Sequence, residues 1–271
     1  MYICPICKQV LNRINNSYKC ENNHSYDISS SGYVNLLNPG KRNNFKAGDS
    51  KEMVKARSAF FESNTYEPIA TKLCSIISKI PRNVIVDAGC GEGYYSLHIA
   101  QQFLSSLILG FDMTKYGCDH ASKCAKRINS QNALFSVSNI FDLPLLDNSV
   151  DVVTSLFAPV ADKEFSRILK PHGYLVVVSA GVFHLDGLKR ILYDNLYLNE
   201  DKQSIYEGFS LVDTINLKYE TVIHGNETIN NLFTMTPYYH RTSLTDKKKL
   251  ENITELNTNI EVNFSIYTKN N

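Results

Sequence analysis

Four potential metal ligands lie close together at the start of the chain. Two residues separate Cys4 from Cys7, three separate Cys20 from His24, and twelve lie between the two pairs. Each pair can hold one face of a tetrahedral ion if the chain reverses between them. Three thiolates and one imidazole leave no open coordination position, which favours a structural zinc ion. A module of about 35 residues buries little apolar surface, so the metal would supply its folding energy.

A second group of residues suggests a nucleotide site. The segment VDAGCGEGYYS (86–96) places Gly89, Gly91 and Gly93 after an apolar β-branched run and before a helical pattern. Glycines allow close backbone approach to a ligand, and a helix N-terminus offers free N–H groups. Asp112 ends the next apolar run, where a carboxylate can accept hydrogen bonds from ribose hydroxyls. The combination predicts an adenosine-containing ligand, although the spacing differs from the dinucleotide fingerprint.

Structural roles explain the same residues without a ligand. The glycines can serve a tight turn alone. Glu92 can be a solvated acid that the helix dipole stabilises, and Asp112 can cap a helix near Thr114. The remaining cysteines fall inside helix or strand patterns and are interpreted as buried packing residues; they are Cys74, Cys90, Cys118 and Cys124.

The elements around the glycine segment alternate between strand and helix. This rhythm predicts an α/β protein whose mostly parallel sheet carries helices on both faces. Two late segments, 209–223 and 262–269, suit antiparallel strands at one edge of that sheet. Predicted strands cover 83–90, 106–112, 133–138, 150–157 and 173–180, and predicted helices cover 50–63, 66–79, 94–103, 115–129, 161–169 and 186–198.

Composition changes along the chain predict three parts. Residues 1–37 form the zinc module, 38–65 a linker and helix, and 66–271 the sheet domain. Pro, Gly and Asn in the linker are typical of loops. We expect the module and the sheet domain to fold around separate cores. Replacing Cys20 by alanine should therefore remove the metal without affecting the nucleotide site.

Bulk composition narrows the class of protein. Hydrophobic residues make up 43% and charged residues 20% of the chain, as in soluble globular proteins. No apolar run is long enough to span a membrane, and the first residues lack a signal-peptide pattern, so we expect a cytoplasmic protein with reduced cysteines and no membrane partner.

The basic residues are unevenly distributed. Residues 1–60 hold nine Lys or Arg and four acids, whereas the rest of the chain has an acidic excess. A basic head predicts contact with a polyanion such as RNA, and a solvated linker fits the same composition. The candidate RNA-binding residues are Lys41, Arg42, Lys46 and Arg57.

These motifs together resemble a known family. DAGCGEGYY is similar to the first motif of class I S-adenosylmethionine-dependent methyltransferases, and LGFD is similar to their second. The order CPIC, YKC, GYVNLL and then the glycine segment resembles the bacterial 23S rRNA (guanine-N1)-methyltransferases over essentially the whole chain. The segments LKPHGYLVVV, HLDGLK and MTP carry the resemblance toward the C-terminus.

The resemblance implies further properties. It implies a Rossmann-like methyltransferase domain with an N-terminal zinc module, zinc on the four ligands above, and S-adenosylmethionine contacts at Tyr66, Gly91, Glu92 and His184. From the residues alone, Tyr66 and His184 would be interpreted as structural. It also implies methyl transfer to N1 of a guanine in a 23S rRNA hairpin, and a possible homodimer.

The sequence identifies neither the general base that would accept the proton from guanine N1 nor the substrate class. Asp142, Asp147 and Asp151 lie near the third and fourth strands, but each fits a turn or strand-start role equally well. Phe157 is placed to stack on a guanine, although a core aromatic is the favoured interpretation. A small-molecule methyltransferase with a zinc lid is the alternative, and the basic head counts against it. A non-catalytic RNA-binding protein is a third reading, which an intact glycine loop with Asp112 disfavours.

Overall fold

The architecture was analysed in a computed structural model, which describes residues 1–38, 48–200 and 204–270. Within these residues an eight-stranded sheet is joined to a small three-stranded sheet. The strands are β1 Asn12–Ile14, β2 Ser17–Lys19, β3 Ser25–Asp27, β4 Val34–Asn35, β5 Val84–Ala88, β6 Leu107–Asp112, β7 Ala133–Val137, β8 Val150–Leu156, β9 Leu169–Ala180, β10 Phe209–His224 and β11 Glu255–Lys269.

Helices cover both faces of the large sheet. None of them, in the part of the chain that the structure describes, is long and apolar enough to cross a membrane. They are α1 Lys51–Phe61, α2 Glu67–Ile77, α3 Tyr94–Gln102, α4 Lys115–Arg127, α5 Asp162–Ile168, α6 Asp186–Leu192, α7 Asn226–Thr234, α8 Tyr238–Arg241 and α9 Leu244–Lys248.

The large sheet has the order β10-β11-β9-β8-β5-β6-β7-β4. All pairs from β9 to β4 are parallel. Strand β5 lies between β8 and β6. The chain runs from β5 to β6 and β7 toward one edge of the sheet, and then crosses to β8 on the other side of β5. A crevice forms at such a point beyond the carboxyl ends of the strands, where α/β proteins bind ligands. The glycine segment directly follows β5 and therefore lies at this crevice.

Two long antiparallel strands close one edge of the sheet, as the sequence predicted. β10 pairs with β11 along its length, and β11 pairs with β9. The structure corrects three boundaries: β9 begins at Leu169 instead of 173, β11 begins at Glu255 instead of 262, and α6 ends at Leu192 instead of 198. The added residues of β11 alternate exposed and buried, and they continue the pairing with β10. This alternation is typical of a strand that packs one face on a core.

Alternate residues of the central strands pack on two hydrophobic cores. Ile85 and Ile108 contribute to one core, and their neighbours Val86 and Leu109 contribute to the other. All four are at most 1% exposed. Strands buried on both faces lack a polar side, which explains the continuous apolar runs in the sequence.

The zinc module shares the second core, so the expectation of separate cores is wrong. Tyr2, Cys4 and Cys20 belong to the same cluster as Phe111 of β6. The Tyr2 hydroxyl lies 2.9 Å from the hydroxyl of Ser136 on β7. Strand β4 pairs in parallel with β7 and extends the large sheet by one strand. Because an edge strand of the sheet comes from the predicted module 1–37, the module and the domain are physically continuous.

Candidate functional site

The four predicted metal ligands converge at one point. The ligand atoms of Cys4, Cys7, Cys20 and His24 all lie within 4.8 Å of one another. Two tight turns achieve this: the Lys8 amide donates to the Cys4 carbonyl, and the Asn23 amide donates to the Cys20 carbonyl. The strands β1 and β2 reverse the chain between the turns.

The spacing of these atoms fits a tetrahedral zinc ion. A Zn–S bond of about 2.3 Å places neighbouring sulfurs about 3.8 Å apart in a tetrahedron. The Cys7 and Cys20 sulfurs are 3.6 Å apart, and the Cys20 sulfur lies 3.3 Å from Nδ1 of His24. A hydrogen bond from the Gln9 backbone lowers the Cys7 pKa to about 7, which favours the thiolate that a metal requires.

Tyr26 completes the surroundings of the cluster. Its hydroxyl lies 3.1 Å from the Cys4 sulfur, and burial raises the pKa of Tyr26, so it remains a proton donor. A donor to a ligating thiolate orients that ligand and disperses its charge. Sequence analysis did not identify this role, because it depends on the pairing of β2 with β3.

The glycine loop adopts conformations that require glycine. Gly89 has φ +81°, and a Cβ there would lie 2.7 Å from the Cβ of Ala158. Gly91 has φ +53°, and a Cβ there would lie 2.6 Å from Nη2 of Arg57. Its amide donates a 2.9 Å hydrogen bond to Oδ2 of Asp112. Asp112 and the loop are thus brought together as the sequence predicted.

Asp112 also has the structural role considered above. Its Oδ1 accepts hydrogen bonds of 2.7 Å from both the amide and the hydroxyl of Thr114 at the start of α4. Each carboxylate oxygen has two lone-pair directions, so these bonds leave acceptor capacity for a ligand hydroxyl.

Glu92 is not a solvated helix-start acid. It is 5% exposed, and the Arg57 Nε donates to its Oε2 at 2.5 Å. Burial raises the Glu92 pKa, while the Arg57 charge opposes that shift. The second ion pair of Arg57, from Nη1, goes to Asp49. Arg57 therefore lies at the glycine loop and not on an open basic surface.

Tyr66 and His184, far apart in sequence, form a buried hydrogen-bonded pair. The Tyr66 hydroxyl lies 3.1 Å from Nε2 of His184, and the Glu261 amide donates to Nδ1 at 3.3 Å. Burial, assisted by the Lys189 charge, lowers the His184 pKa to about 4, so the ring is neutral at pH 7. Since Nδ1 accepts, the single ring proton is on Nε2 and is donated to Tyr66.

Phe157 is exposed, so the interpretation as a core aromatic is wrong. The side chain is 46% exposed directly after β8, and the backbone has φ +52°. A bulky residue in this region of φ is strained, and such strain is concentrated at functional sites. The ring lies 5.8 Å from that of His184 and 6.4 Å from that of Tyr66. Because Ala158 lies against Gly89, these aromatics lie beside the glycine loop, at the crevice beyond β5 that is called the cleft from here on.

A buried carboxylate below the loop was not singled out by the sequence analysis. Asp87, in β5, is 2% exposed and accepts hydrogen bonds from Ser96 at 2.5 Å and Thr154 at 3.0 Å. Burial raises its pKa to about 6. Asp87 could have been identified from the sequence, because it is an acidic residue inside an otherwise apolar strand. Its bonds join β5, β8 and α3 directly beneath the cleft.

The three candidate bases are all engaged elsewhere. Asp142 pairs with Lys8 at 3.0 Å, and Asp147 pairs with Arg167 at 2.5 Å. Asp151, at the amino end of β8, pairs with Lys170 at 2.7 Å. The amino end of β8 is opposite the cleft, which removes Asp151 from contact with it.

Comparisons with known proteins agree with this geometry. A zinc-ribbon family model, described as RlmA, N-terminal, matches residues 2–43, and a methyltransferase-domain model matches residues 81–258. The 23S rRNA (guanine(748)-N(1))-methyltransferase of Streptomyces fradiae is 32% identical over 187 residues. YxjB of Bacillus subtilis strain 168, assigned by name to the 23S rRNA (guanine-N1)-methyltransferases, is 31% identical over 205 residues.

The chain belongs to the 23S rRNA (guanine-N1)-methyltransferase family. The match covers 67% of this chain and 64% of the Streptomyces methyltransferase, and 71% and 69% for YxjB. The chain thus spans just under two thirds of the Streptomyces methyltransferase. Two solved structures share the class I methyltransferase fold, each at TM-score 0.51. YcgJ of Bacillus subtilis is 16% identical, and the match covers 74% of this chain and 98% of YcgJ. A protein of echinomycin biosynthesis is 15% identical, and the match covers 75% of this chain and 82% of that protein.

The structure describes most, but not all, of the predicted site residues. Tyr66 is hydrogen-bonded to His184, the glycine loop is hydrogen-bonded to Asp112, and the four metal ligands form one cluster. The predicted RNA-binding residues Lys41, Arg42 and Lys46 lie outside the described residues. Arg57, the fourth of that set, is instead at the cleft.

Proposed function

We propose that this chain transfers a methyl group from S-adenosylmethionine to N1 of a guanine in a hairpin loop of 23S rRNA. The observation that carries the proposal is the joining of a metal module to the same sheet that carries the cleft. The two parts match a zinc-ribbon model and a methyltransferase-domain model, in the expected order. We place the reaction in the cytoplasm, since the proposed substrate is ribosomal RNA.

The donor would occupy the cleft between the glycine loop and the Tyr66–His184 pair. The loop exposes backbone close to the ligand, Asp112 has acceptor capacity for ribose hydroxyls, and the neutral His184 adds no positive charge. When bound, S-adenosylmethionine supplies a methyl group on a positively charged sulfur. A neutral imidazole avoids repulsion of that cation.

The acceptor base would enter at Phe157. Guanine N1 is used in Watson–Crick pairing, so the target must be unpaired or flipped out of its stack. The exposed Phe157 ring offers a face for stacking beside the cleft. In the transfer, the carbon–sulfur bond breaks as the carbon–N1 bond forms, and the N1 proton leaves to water or a base. Orientation of N1 in line with the breaking bond is the main contribution of the protein.

The test is methylation of RNA by the zinc-loaded protein. We expect labelled methyl from S-adenosylmethionine to enter a 23S rRNA transcript, with 1-methylguanosine identified by mass spectrometry of the nucleosides. Gly91→Arg should reduce incorporation to background, because Arg57 already occupies the space beside this glycine. Phe157→Ala should lower kcat/KM about 10- to 100-fold if it stacks on the base.

The matched control is Leu104→Arg, which adds an arginine at a site 79% exposed and should leave the rate unchanged. Methyl transfer to a small molecule with none to RNA would contradict the proposal and favour the alternative substrate class.

A further inference from the structure

Arg57 occupies an unusual position for a residue of a basic segment. It projects from α1 onto the glycine loop, and its side chain is only 19% exposed. Two carboxylates, Glu92 and Asp49, take its Nε and Nη1 groups. A guanidinium that is largely buried beside the glycine loop is better placed to meet a ligand lying on that loop than a phosphate on the outer surface of an RNA.

The third nitrogen of the guanidinium faces the loop. Nη2 lies 2.6 Å from the position that a Cβ on Gly91 would take. The hydrogen bonds of Arg57 to described residues go through Nε and Nη1.

The two ion pairs fix where this nitrogen points. The guanidinium is a rigid planar fork, so anchoring Nε and Nη1 leaves Nη2 one direction, toward the backbone of Gly91. Glu92 follows Gly91 in the loop and α1 carries Arg57, so the ion pair also ties α1 to the loop. A preorganised cation beside a glycine that has no side chain is suited to an anionic group of a ligand lying on the loop.

We propose that Arg57 binds the carboxylate of the amino-acid portion of the methyl donor through Nη2. This rests on the proposed function, since it requires that the cleft takes S-adenosylmethionine. The donor carries one carboxylate, on its methionine part, and a charge-assisted bond to arginine is the strongest polar contact available for it. Arg57 is thereby reassigned from RNA recognition to the donor site.

The experiment compares two ligands by calorimetry. S-adenosylhomocysteine retains the amino-acid portion of the donor, whereas 5′-methylthioadenosine lacks it. Arg57→Met should weaken S-adenosylhomocysteine about 10- to 100-fold, the equivalent of one charged hydrogen bond, and should change 5′-methylthioadenosine less than about threefold. Lys55→Met is the matched control on an exposed position of the same helix, and it should change neither affinity.

A second variant covers the case in which Arg57→Met does not fold. Arg57→Lys keeps the positive charge but loses the fork, so it should weaken S-adenosylhomocysteine selectively and by a smaller factor. Equal weakening of both ligands would overturn the proposal, because it would mean that Arg57 only shapes the loop. Unchanged affinity for both, with weaker RNA binding, would also overturn it. If the wild-type protein bound neither ligand, the proposed function itself would fail.

Discussion

At the scale of single residues, the pairing of Tyr66 with His184 explains a protonation state that the sequence did not specify. A lone histidine is expected to titrate near neutral pH, but burial lowers the pKa of His184 to about 4. Its two nitrogens are used by Glu261 and Tyr66. Protonation would place an uncompensated charge in the core and break the hydrogen bond with the Glu261 amide, because a protonated Nδ1 can no longer accept.

This histidine should make stability depend on pH. Its pKa is lower in the folded chain than the usual 6.5, so the unfolded chain binds more protons between about pH 4 and 6.5 and stability falls as pH falls. Asp87, whose pKa is raised to about 6, acts in the opposite direction over part of that window. We therefore expect the effect of His184 to be visible in the difference in the free energy of unfolding between wild type and a variant without this histidine. The free energy of unfolding of wild type relative to His184→Gln should drop by about 2–3 kcal/mol between pH 7 and pH 4.5.

Chemical denaturation at several pH values measures this difference. The control is His224→Gln, which removes a histidine whose side chain is 73% exposed. A difference between wild type and His184→Gln that stays constant with pH would show that His184 is not held neutral by burial.

At the scale of elements, β4 is the part that connects metal binding to the cleft. It comes from the predicted zinc module yet pairs with β7, which pairs with β6. The last residue of β6 is Asp112, and the ring of the preceding Phe111 lies 6.1 Å from that of Tyr2. The metal cluster therefore supports β6 through two contacts, and Asp112 at the end of β6 accepts the hydrogen bond from the glycine loop.

Loss of the metal should consequently affect both parts of the molecule. Cys20→Ala should abolish stoichiometric zinc, lower the single melting transition by several degrees, and weaken S-adenosylhomocysteine several-fold, because the edge of the sheet loses its support. Zinc analysis, scanning calorimetry and isothermal titration measure the three effects. Cys74→Ala, a half-buried cysteine of α2, is the control for loss of a thiol. Two separate transitions with unchanged ligand affinity would instead restore the picture of independent modules.

At the scale of the whole molecule, the two edges of the large sheet differ. One edge ends in β4 and continues into the zinc module, whereas the other ends in the long strand β10. Leu211, Val212 and Val222 of β10 are 40–57% exposed. An open edge with apolar side chains is a template for pairing with another chain. Val212 lies at a register shift opposite β11, which disrupts the edge only near its start.

We infer that β10 is the surface through which two copies associate. Light scattering coupled to gel filtration at micromolar concentration should give the mass of a dimer. Val222→Lys should shift the mass to that of a monomer, because it places a charge in the paired edge. Leu104→Lys, exposed at a distance from β10, should leave the dimer intact. A monomer for the wild-type chain would exclude the association.

The metal cluster and the succession of strands and helices along the chain were determined by local sequence. Ligands three or four positions apart, and apolar runs separated by helical patterns, encode their structure within short windows. Cys4, Cys7, Cys20 and His24 could therefore be identified without a structure, as could the position of the glycine loop after the first central strand.

Only the tertiary structure decided which distant residues meet. Four features depend on segments that are far apart in the chain. They are the partners of Arg57, the neutral pair of Tyr66 with His184, the exposure of Phe157 and the shared core of the zinc module. No short window records such contacts, because burial and neighbouring charge are set by packing between elements. The sequence by itself thus supplied the metal ligands and the succession of strands and helices, and the packing of these elements against one another assigned the roles.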